Sequence, residues 1–321
     1  MQPPIAEPLK TKVVYNPAAN KGRCGIMWPA IKARLEAVLG PLDATATSAR
    51  GDGTAIARAA FADGCRRFVT VGGDGTLNEV VNGLVTDDRL LDPALVFAQI
   101  PAGTSNAIAR AMGHAGHGAA SAASFAALTG TATRAIDLFR AESFAPDGKP
   151  MARYGFLLAT IGAPATIGLR AGAVPLLKRL GPFAYVLTAA ATALTYQPRE
   201  VRISIDGGQA RNGSMWGAMI CSAAGAGDGI LLAPGALIDD GRLDLVAMGP
   251  LTRREALFQI IPKLADGSYV GHAKVTRHLA REMSIETATP VPVDVDGEAI
   301  GLSPLRVRVL PEQLRIAAAP A

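Results

Sequence analysis

The residues best suited to chemistry form a glycine-rich turn, Gly72-Gly-Asp-Gly-Thr-Leu-Asn-Glu79, which follows the strand-like run Val69–Val71. Glycines let a backbone approach a polyphosphate closely, and the free N–H groups at a helix start attract its negative charge. Leu77, Val80 and Leu84 repeat with helical spacing, so a helix is expected to begin within the turn. The pattern predicts a phosphate-binding cradle.

This cradle differs from the two commonest phosphate-binding loops. No Gly-x-x-x-x-Gly-Lys-Ser/Thr occurs in the chain, and Asn78 stands where the dinucleotide fingerprint has its third glycine. A P-loop NTPase and a standard dehydrogenase are therefore both disfavoured. Gly51-Asp-Gly-Thr54 has a similar composition but follows no strand, so it is predicted to be a loop with a helix cap.

A second polar turn, Pro101-Ala-Gly-Thr-Ser-Asn106, follows the apolar run Ala94–Ile100. Open parallel sheets bind ligands at the carboxyl ends of their strands. Thr104 and Asn106 are therefore expected to reach the same phosphates as the first turn. The turn alone is ordinary capping chemistry, and its distance of about one β-α unit from the first turn gives it weight.

Carboxylates are the other candidates, because phosphoryl transfer needs a cation to neutralise the phosphates and a base for the attacking hydroxyl. Asp74 lies inside the first turn, and Asp137 closes the first half of the chain. Asp294, Asp296 and Glu298 alternate with other residues, so they would share one face of a strand that ran through all three. Asp-Gly equally favours a hairpin turn, and the sequence leaves both interpretations open.

A further acidic turn lies in Leu237–Asp244. Asp240 offers a cation its carboxylate together with backbone carbonyls, or it closes a hairpin without a ligand. No Ser or Cys stands in a nucleophile-elbow pattern, so covalent catalysis is not expected.

The elements that must position these residues change character near the middle of the chain. Apolar strand-like and helical runs alternate as far as Leu138, which favours a parallel sheet with crossover helices. Afterwards come a hairpin across Ala145–Gly148 and short alternating runs, which favour an antiparallel β-sandwich. We predict an α/β domain over residues 1–138 and a β-sandwich domain over residues 139–321, with the last segment returning to the first domain.

An Ala- and Leu-rich segment, Ala173–Tyr196, is predicted to be a helix interrupted at Gly181-Pro182. The favoured interpretation is that this helix is buried against the sheet, and the alternative is that it lines an apolar pocket. Its apolar part, Phe183–Tyr196, is shorter than the roughly 20 residues that a membrane-spanning helix needs. Membrane contact is therefore expected to be peripheral.

Composition limits the partners. The 321 residues are 49% hydrophobic and carry a formal charge of +5, scattered along the chain. This charge suits a nucleotide or an acidic membrane face, and it is too weak to indicate nucleic acid. Three dispersed cysteines indicate neither a disulfide framework nor a zinc site, so a reducing cytosol is expected.

With these residues in place, the chain resembles the diacylglycerol kinase catalytic family, whose relatives include sphingosine and ceramide kinases. The resemblance rests on Asn16-Pro17 with Gly22, Gly72–Glu79, Pro101–Asn106 with Ala109-Arg110, Leu180–Tyr185, Ala233-Pro234 with Asp240–Asp244, and Asp296-Gly-Glu298. NAD kinases and phosphofructokinases share the first glycine motif, whereas the ordered set is specific. The family implies a nucleotide-binding α/β domain followed by a β-sandwich, with the active site between them.

The resemblance also implies roles for individual positions. ATP would be held by Asn16, Pro17, Ala18, Ala19, Asn20, Thr47, Gly72, Gly73, Asp74, Gly75, Thr76, Leu77, Asn78, Glu79, Thr104 and Asn106. Asp74 and Asp137 would organise the catalytic Mg²⁺ network. Either Asp296 or Glu298 would be the base that takes the lipid hydroxyl proton. Asp240, with the carbonyls of Leu237 and Arg242, would match a second, structural Mg²⁺ site.

The expected reaction is phosphorylation of a lipid hydroxyl, most readily that of diacylglycerol, at the inner membrane surface of the cell, by a monomer or a homodimer. A ceramide or sphingoid-base kinase is one alternative, and a soluble-substrate kinase of the NAD kinase type is another. A nucleotide-binding regulator without catalysis is a third, since Ala107 and Thr160–Pro164 depart from the family pattern.

Overall fold

The chain forms two compact units in a computed structural model that describes residues 9–114, 121–173, 182–225 and 230–319. The first unit contains residues 1–135 and 313–321, and the second contains residues 136–312. The division thus falls near the boundary predicted after residue 138. The predicted interruption at Gly181 and the start of the Leu180–Tyr185 motif lie outside the described residues.

The first unit is built on a parallel sheet. Its strands are β1 (Thr11–Tyr15), β2 (Asp43–Ala46), β3 (Arg67–Gly72), β4 (Val85–Thr86), β5 (Arg89–Leu90) and β6 (Val96–Pro101), and its helices are α1 (Arg23–Leu39), α2 (Asp52–Ala62), α3 (Asp74–Gly83), α4 (Ala107–Ala111) and α5 (Ala122–Thr129). The main sheet has the order β2-β1-β3-β6, all parallel, and β4 and β5 form a small separate hairpin.

Apolar side chains on the strands explain why this sheet forms. Val69, Val71 and Ile100 are buried, and α1 and α5 pack their apolar faces on the same core through Leu35 and Phe125. Near-continuous apolar strands are typical of parallel sheets with covered faces. The α/β prediction for this part of the chain is confirmed.

The second unit is mainly antiparallel. Its strands are β7 (Thr133–Phe144), β8 (Pro150–Gly155), β9 (Leu158–Gly162), β10 (Arg199–Ile205), β11 (Arg211–Met215), β12 (Gly217–Cys221), β13 (Leu243–Met248), β14 (Val275–Ala280), β15 (Glu282–Thr287), β16 (Pro292–Val295) and β17 (Glu298–Ala317). Its helices are α6 (Ala163–Ala173), α7 (Pro182–Thr195) and the single turn α8 (Arg253–Glu255), followed by a π-helical turn over Ala256–Ile260 and 3-10 turns over Ile261–Lys263 and Ser268–Gly271.

Pairing in the second unit matches the predicted sandwich. One run of strands has the order β14-β13-β12-β9-β16-β17, and β11-β10-β15 joins it through β17. The predicted hairpin across Ala145–Gly148 links β7 and β8. The end of β17 belongs to the first unit, where Arg315 and Ile316 pair in parallel with β6.

The predicted burial of the apolar helix holds for only one of its faces. In α7, Ala189 and Ala193 are buried, whereas Leu187 and Leu194 on the other side are exposed. Among the described residues, no helix is both long enough and apolar enough to cross a bilayer.

Candidate active site

The first unit gathers the predicted nucleotide-binding residues at one edge of its sheet. Asn16 follows β1, Thr47 follows β2, Gly73 follows β3 and Thr104 comes soon after β6. Because these strands are parallel, their carboxyl ends lie at the same edge. Hydrogen bonds from Thr47 N to Tyr15 O and from Asn16 N to Val71 O, both 2.9 Å, tie neighbouring segments together there.

Contact between glycines brings the two polar turns together. A Cβ on Gly103 would lie 2.3 Å from the Cα of Gly73, and a Cβ on Gly73 would lie 3.3 Å from the Cα of Gly103. The N–H of Ala102 also donates to Gly72 O at 3.0 Å. The two turns can approach this closely only without side chains, which supports the prediction that they serve one ligand.

The Asp74 carboxylate connects these turns. It is 7% exposed and accepts hydrogen bonds from the N–H groups of Ala107 at 2.9 Å and Ile108 at 3.2 Å, with the Gln99 amide at 3.4 Å. Burial raises the pKa of Asp74, against the lowering effect of those N–H donors. In this geometry the carboxylate holds the start of α4 beside the start of α3.

Gln99 is a site residue that the sequence analysis did not single out. It is 3% exposed in β6, and its side chain reaches Asp74. A glutamine inside an otherwise apolar strand was the available signal, because a buried amide needs a polar partner.

The loop after β1 is held in a conformation that favours close backbone approach. Asn16 Oδ1 accepts from the N–H of Ala18 at 3.0 Å, and Asn20, Lys21 and Gly22 all have positive φ. Successive left-handed residues turn backbone N–H groups toward one side, an arrangement that suits anions. Asn16, Pro17, Ala18, Ala19 and Asn20 thus lie at the same strand ends as the glycine turn.

Glu79 and Asn106 have structural roles in their predicted positions. The Glu79 carboxylate accepts hydrogen bonds from Gly51 N at 3.0 Å and Gly53 N at 2.9 Å. The backbone N–H groups of the Gly51–Thr54 segment thus bind a side chain of the protein, and α2 begins in this segment. Asn106 closes its own turn through hydrogen bonds with both backbone groups of Gly103 at 3.0 Å. The predicted helix start at Gly51–Thr54 is confirmed with Gly51 as the N-cap residue, but no side chain of this residue caps the helix.

The remaining predicted residues lie on α3. Gly75, Thr76, Leu77 and Asn78 form its first two turns; Thr76 and Asn78 are buried polar residues, and Leu77 packs in the core. Helix α3 is ten residues long and begins directly at the turn. The positive end of its dipole therefore lies where the phosphates are predicted to bind.

In the second unit, Asp296 lies in a two-residue hairpin turn. β16 ends at Val295 and β17 begins at Glu298, while Asp296 and Gly297 have φ of 50° and 86°. Of the two interpretations that the sequence left open, the hairpin turn is the one found, and Asp294, Asp296 and Glu298 do not share one strand face. Asp-Gly favours a turn with two left-handed residues, and the strand stops there.

The Asp296 carboxylate is fully engaged by backbone. It accepts from the N–H groups of Phe156 and Leu157 at 3.0 Å and of Leu158 at 2.9 Å, and Asp296 N donates to Leu158 O at 2.9 Å. These hydrogen bonds engage both carboxylate oxygens and fix the orientation of the side chain. Asp296 fixes the turn that presents Glu298, whose half-buried side chain stands at the first position of β17.

The burial of Asp294 is a second feature that the sequence did not reveal. Asp294 is 5% exposed, its Oδ1 accepts from Gly297 N at 3.0 Å, and its Oδ2 is buried without a hydrogen-bond partner among the described residues. Burial raises the pKa of Asp294 to about 7, with further upward contributions from Asp296 and Glu298 and a downward one from Arg153. Asp294 therefore holds a proton over part of the physiological pH range.

Asp137 anchors the acidic loop of the same unit. It is fully buried and accepts from Gly241 N at 2.7 Å and Glu312 N at 2.8 Å, while its own N–H donates to Ile238 O at 2.7 Å. Burial raises the pKa of Asp137, its two N–H donors lower it, and the charges of Asp240 and Asp239 raise it further. The nearby negative charge favours a cation in this loop.

The side chains of this acidic loop can bind Mg²⁺ only if backbone carbonyls and water complete the coordination. Among the described residues, no group of three or more His, Cys, Asp or Glu side chains lies close enough together to hold a metal. Asp240 supplies a carboxylate whose Oδ1 accepts from Arg242 N at 3.0 Å, and further ligands would be the carbonyls of Leu237 and Arg242. An all-oxygen set with few side chains fits Mg²⁺, which keeps waters and phosphate oxygens as ligands.

Comparison with known proteins gives matches along nearly the whole chain. Residues 10–141 match the model of the diacylglycerol kinase catalytic domain, and residues 159–318 match that of the YegS C-terminal NAD kinase beta sandwich-like domain. The chain is 32% identical over 263 residues to a YegS-like lipid kinase of Shewanella frigidimarina, covering 81% of this chain and 79% of the relative. It is 27% identical over 309 residues to the diacylglycerol kinase of Staphylococcus carnosus, covering 96% and 94%.

Solved structures show the same fold at low sequence identity. A diacylglycerol kinase structure from Bacillus anthracis aligns with a TM-score of 0.66 at 21% identity, covering 97% of each chain. An NAD kinase from Archaeoglobus fulgidus, solved in complex with ATP, aligns with a TM-score of 0.52 at 11% identity, covering 96% of this chain and 94% of that one. Together with the two matching domains and the 32% identity over four fifths of the chain, these findings show that the protein belongs to the diacylglycerol kinase and YegS-like family of lipid kinases.

Proposed function

We propose that this lipid kinase transfers the γ-phosphate of ATP to the hydroxyl of diacylglycerol, giving phosphatidic acid. Relatives named diacylglycerol kinase match over most of their length, which supports this acceptor. The first unit contributes the glycine turns at its strand ends for the nucleotide, and the second contributes the Asp-Gly-Glu turn.

The observation that carries the proposal is the different hydrogen bonding of the two acidic residues of that turn, Asp296 and Glu298. Because three backbone N–H groups engage the Asp296 carboxylate, Asp296 is a positioning residue and Glu298 is the base. The lipid hydroxyl oxygen attacks the γ-phosphorus, its proton passes to the Glu298 carboxylate, and the bond to the bridging oxygen of ADP breaks.

Bound Mg²⁺ would neutralise charge on the phosphates. Asp74 and Asp137 would organise this ion, and Asp240 would hold a second, structural Mg²⁺ with the carbonyls of Leu237 and Arg242. The proposal includes peripheral contact with the membrane surface, where the acceptor resides.

The test is Mg²⁺-dependent transfer of labelled phosphate from ATP to diacylglycerol, ceramide and a sphingoid base in mixed micelles, with NAD as a soluble acceptor. We expect product on diacylglycerol and a loss of kcat of about 10²- to 10⁴-fold in Glu298→Gln, with ATP affinity unchanged. Glu286→Gln, an exposed acid on β15, is the matched control and should retain full activity.

Other results would redirect the assignment. Product on ceramide or the sphingoid base alone would change the acceptor, and product on NAD alone would remove the lipid. ATP binding without turnover on any acceptor would make the protein a nucleotide-binding regulator. Asp296→Asn should lower both stability and activity, because an amide cannot accept from three N–H groups without turning its own donors toward them.

A further inference from the structure

Helix α7 presents an apolar face to solvent. Val186, Leu187 and Leu194 are each at least 50% exposed, and no charged side chain occurs anywhere in Pro182–Thr195. A surface helix normally keeps its apolar stripe inward and covers the opposite face with charged or polar residues. The outward side of α7 lacks that cover.

The inward side of the same helix carries its polar groups. Thr188 and Thr192 are buried, and the Thr192 hydroxyl accepts from Arg170 Nη1 on α6 at 3.3 Å. The polar residues thus face the protein and the leucines face outward. Among the described residues, packing inside the second unit therefore does not explain the leucines, and an exposed apolar face marks an interaction site.

A neighbouring turn extends the apolar surface. α7 packs against the π-helical turn through Ala193, Ala256 and Ile260, which belong to one core cluster. Phe258, within that turn, is 71% exposed. A large aromatic residue and two leucines thus lie exposed on two elements that touch.

Basic residues accompany this surface. Arg253 and Arg254 precede the π-helical turn and Lys263 follows it, all exposed. The Glu255 carboxylate between them is already paired with Lys274 at 2.8 Å and accepts from Thr252 N, so it does not cancel the arginines. Asp266 offsets part of the Lys263 charge. Apolar side chains beside uncompensated cations are typical of surfaces that bind anionic bilayers.

We propose that the docking face, defined as Val186, Leu187, Leu194 and Phe258 with Arg253, Arg254 and Lys263, seats the protein on an anionic lipid bilayer. The apolar side chains enter the interface between headgroups and acyl chains, and the basic residues meet the headgroup phosphates. The inference rests on the proposed lipid acceptor, because an enzyme that takes its substrate from a bilayer must contact that surface. It adds the residues that make the contact.

The first test is binding of the full chain to vesicles of phosphatidylcholine with phosphatidylglycerol, compared with phosphatidylcholine alone. The double variant Leu187→Gln/Leu194→Gln should bind the anionic vesicles about tenfold more weakly per leucine, which corresponds to about 1.4 kcal/mol each. The variant Arg253→Glu/Arg254→Glu should lose about fivefold per arginine and much of the dependence on salt.

Leu279→Gln is the matched control, because Leu279 lies in β14 of the same unit and is also 50% exposed. It should bind like the wild type. Equal binding by the docking-face variants and this control would overturn the proposal. So would a change from dimer to monomer in light scattering with vesicle binding unchanged, because a second copy would then cover the face.

Activity on two forms of substrate separates docking from catalysis. The docking-face variants should lose turnover on diacylglycerol in vesicles and keep the wild-type kcat on a short-chain diacylglycerol dissolved as monomers. If the wild type phosphorylates neither form, the proposed function fails while the vesicle-binding result still decides the docking face. Equal loss on both forms would overturn docking as the role of these residues.

Discussion

At the scale of single residues, several carboxylates in this chain accept hydrogen bonds from backbone N–H groups. Asp74 holds α4 and Asp296 holds the segment before β9, each through hydrogen bonds to main-chain N–H groups. Asp294 differs, because it has one such donor and a buried Oδ2 without a partner among the described residues. An ionised carboxylate in that position is destabilising, so its proton becomes part of the folded state.

The stability of the second unit should therefore depend on pH through Asp294. Its pKa rises from an ordinary value of 3.8 to about 7 in the folded chain. A raised carboxyl pKa stabilises the fold fully below the unfolded value, and this contribution is lost as pH rises through the folded value. The shift corresponds to roughly 4 kcal/mol between pH 4 and pH 8. Asp294→Asn should remove this dependence, measured by urea unfolding followed through Trp216.

Asp147→Asn is the control for that measurement. Asp147 is exposed in the β7–β8 loop, and its pKa is lowered by the side chain and backbone of Lys149. Its replacement should leave the pH dependence of the wild type in place. If Asp294→Asn and the wild type lose stability in parallel between pH 4 and pH 8, Asp294 is ionised throughout and the interpretation is wrong.

At the scale of elements, the proposed nucleotide site depends on two strand–helix turns in contact. Gly103→Ala should force them apart, because the new Cβ would lie 2.3 Å from Gly73 Cα and 2.8 Å from Gly73 N, both backbone atoms that cannot rotate away. We expect ATP affinity to fall at least tenfold and the free energy of unfolding to fall by about 1–3 kcal/mol, measured by calorimetry and denaturation.

Gly168→Ala serves as the comparison, since a Cβ on this helical glycine meets nothing within 4 Å. Replacing a helical glycine by alanine stabilises by up to about 1 kcal/mol. An unchanged ATP affinity in Gly103→Ala would show that the two turns do not bind the nucleotide jointly.

The periodicity of apolar residues was enough to predict the parallel sheet and the strand ends that carry the glycine turns, and the turn residues Ala145–Gly148 predicted the hairpin. Neither pattern could place Asp294 or Gln99, because the importance of each comes from long-range burial beside another carboxylate. The alternation of Asp294, Asp296 and Glu298 left a continuous strand and a hairpin turn equally open. An Asp-Gly pair is compatible with either structure. The three N–H groups that bind the Asp296 carboxylate are about 140 residues away in sequence, so no local pattern shows them.

At the scale of the whole molecule, the chain enters its first unit twice. Residues 313–321 belong to it although 177 residues, Ile136–Glu312, separate them from its first part. Leu314 and Ile316 are buried there, and Ala318 N donates to Ala132 O at 2.9 Å. The first unit therefore completes its sheet only after the entire second unit has been synthesised.

The C-terminal strand should consequently control the stability of the nucleotide-binding unit. Ile316 is 1% exposed and pairs with Phe97 in β6, whereas its neighbour Arg315 is exposed. Ile316→Ala should cost about 2–4 kcal/mol, and Arg315→Ala should cost less than about 0.5 kcal/mol. Each unit contains one of the chain's two tryptophans, Trp28 and Trp216, so single-tryptophan variants can follow the two unfolding transitions separately. We expect Ile316→Ala to lower the denaturant midpoint of the transition reported by Trp28 and to weaken ATP binding. If the Trp28 transition is the same in Ile316→Ala and Arg315→Ala, the last strand contributes little to that unit and its sheet is stable without it.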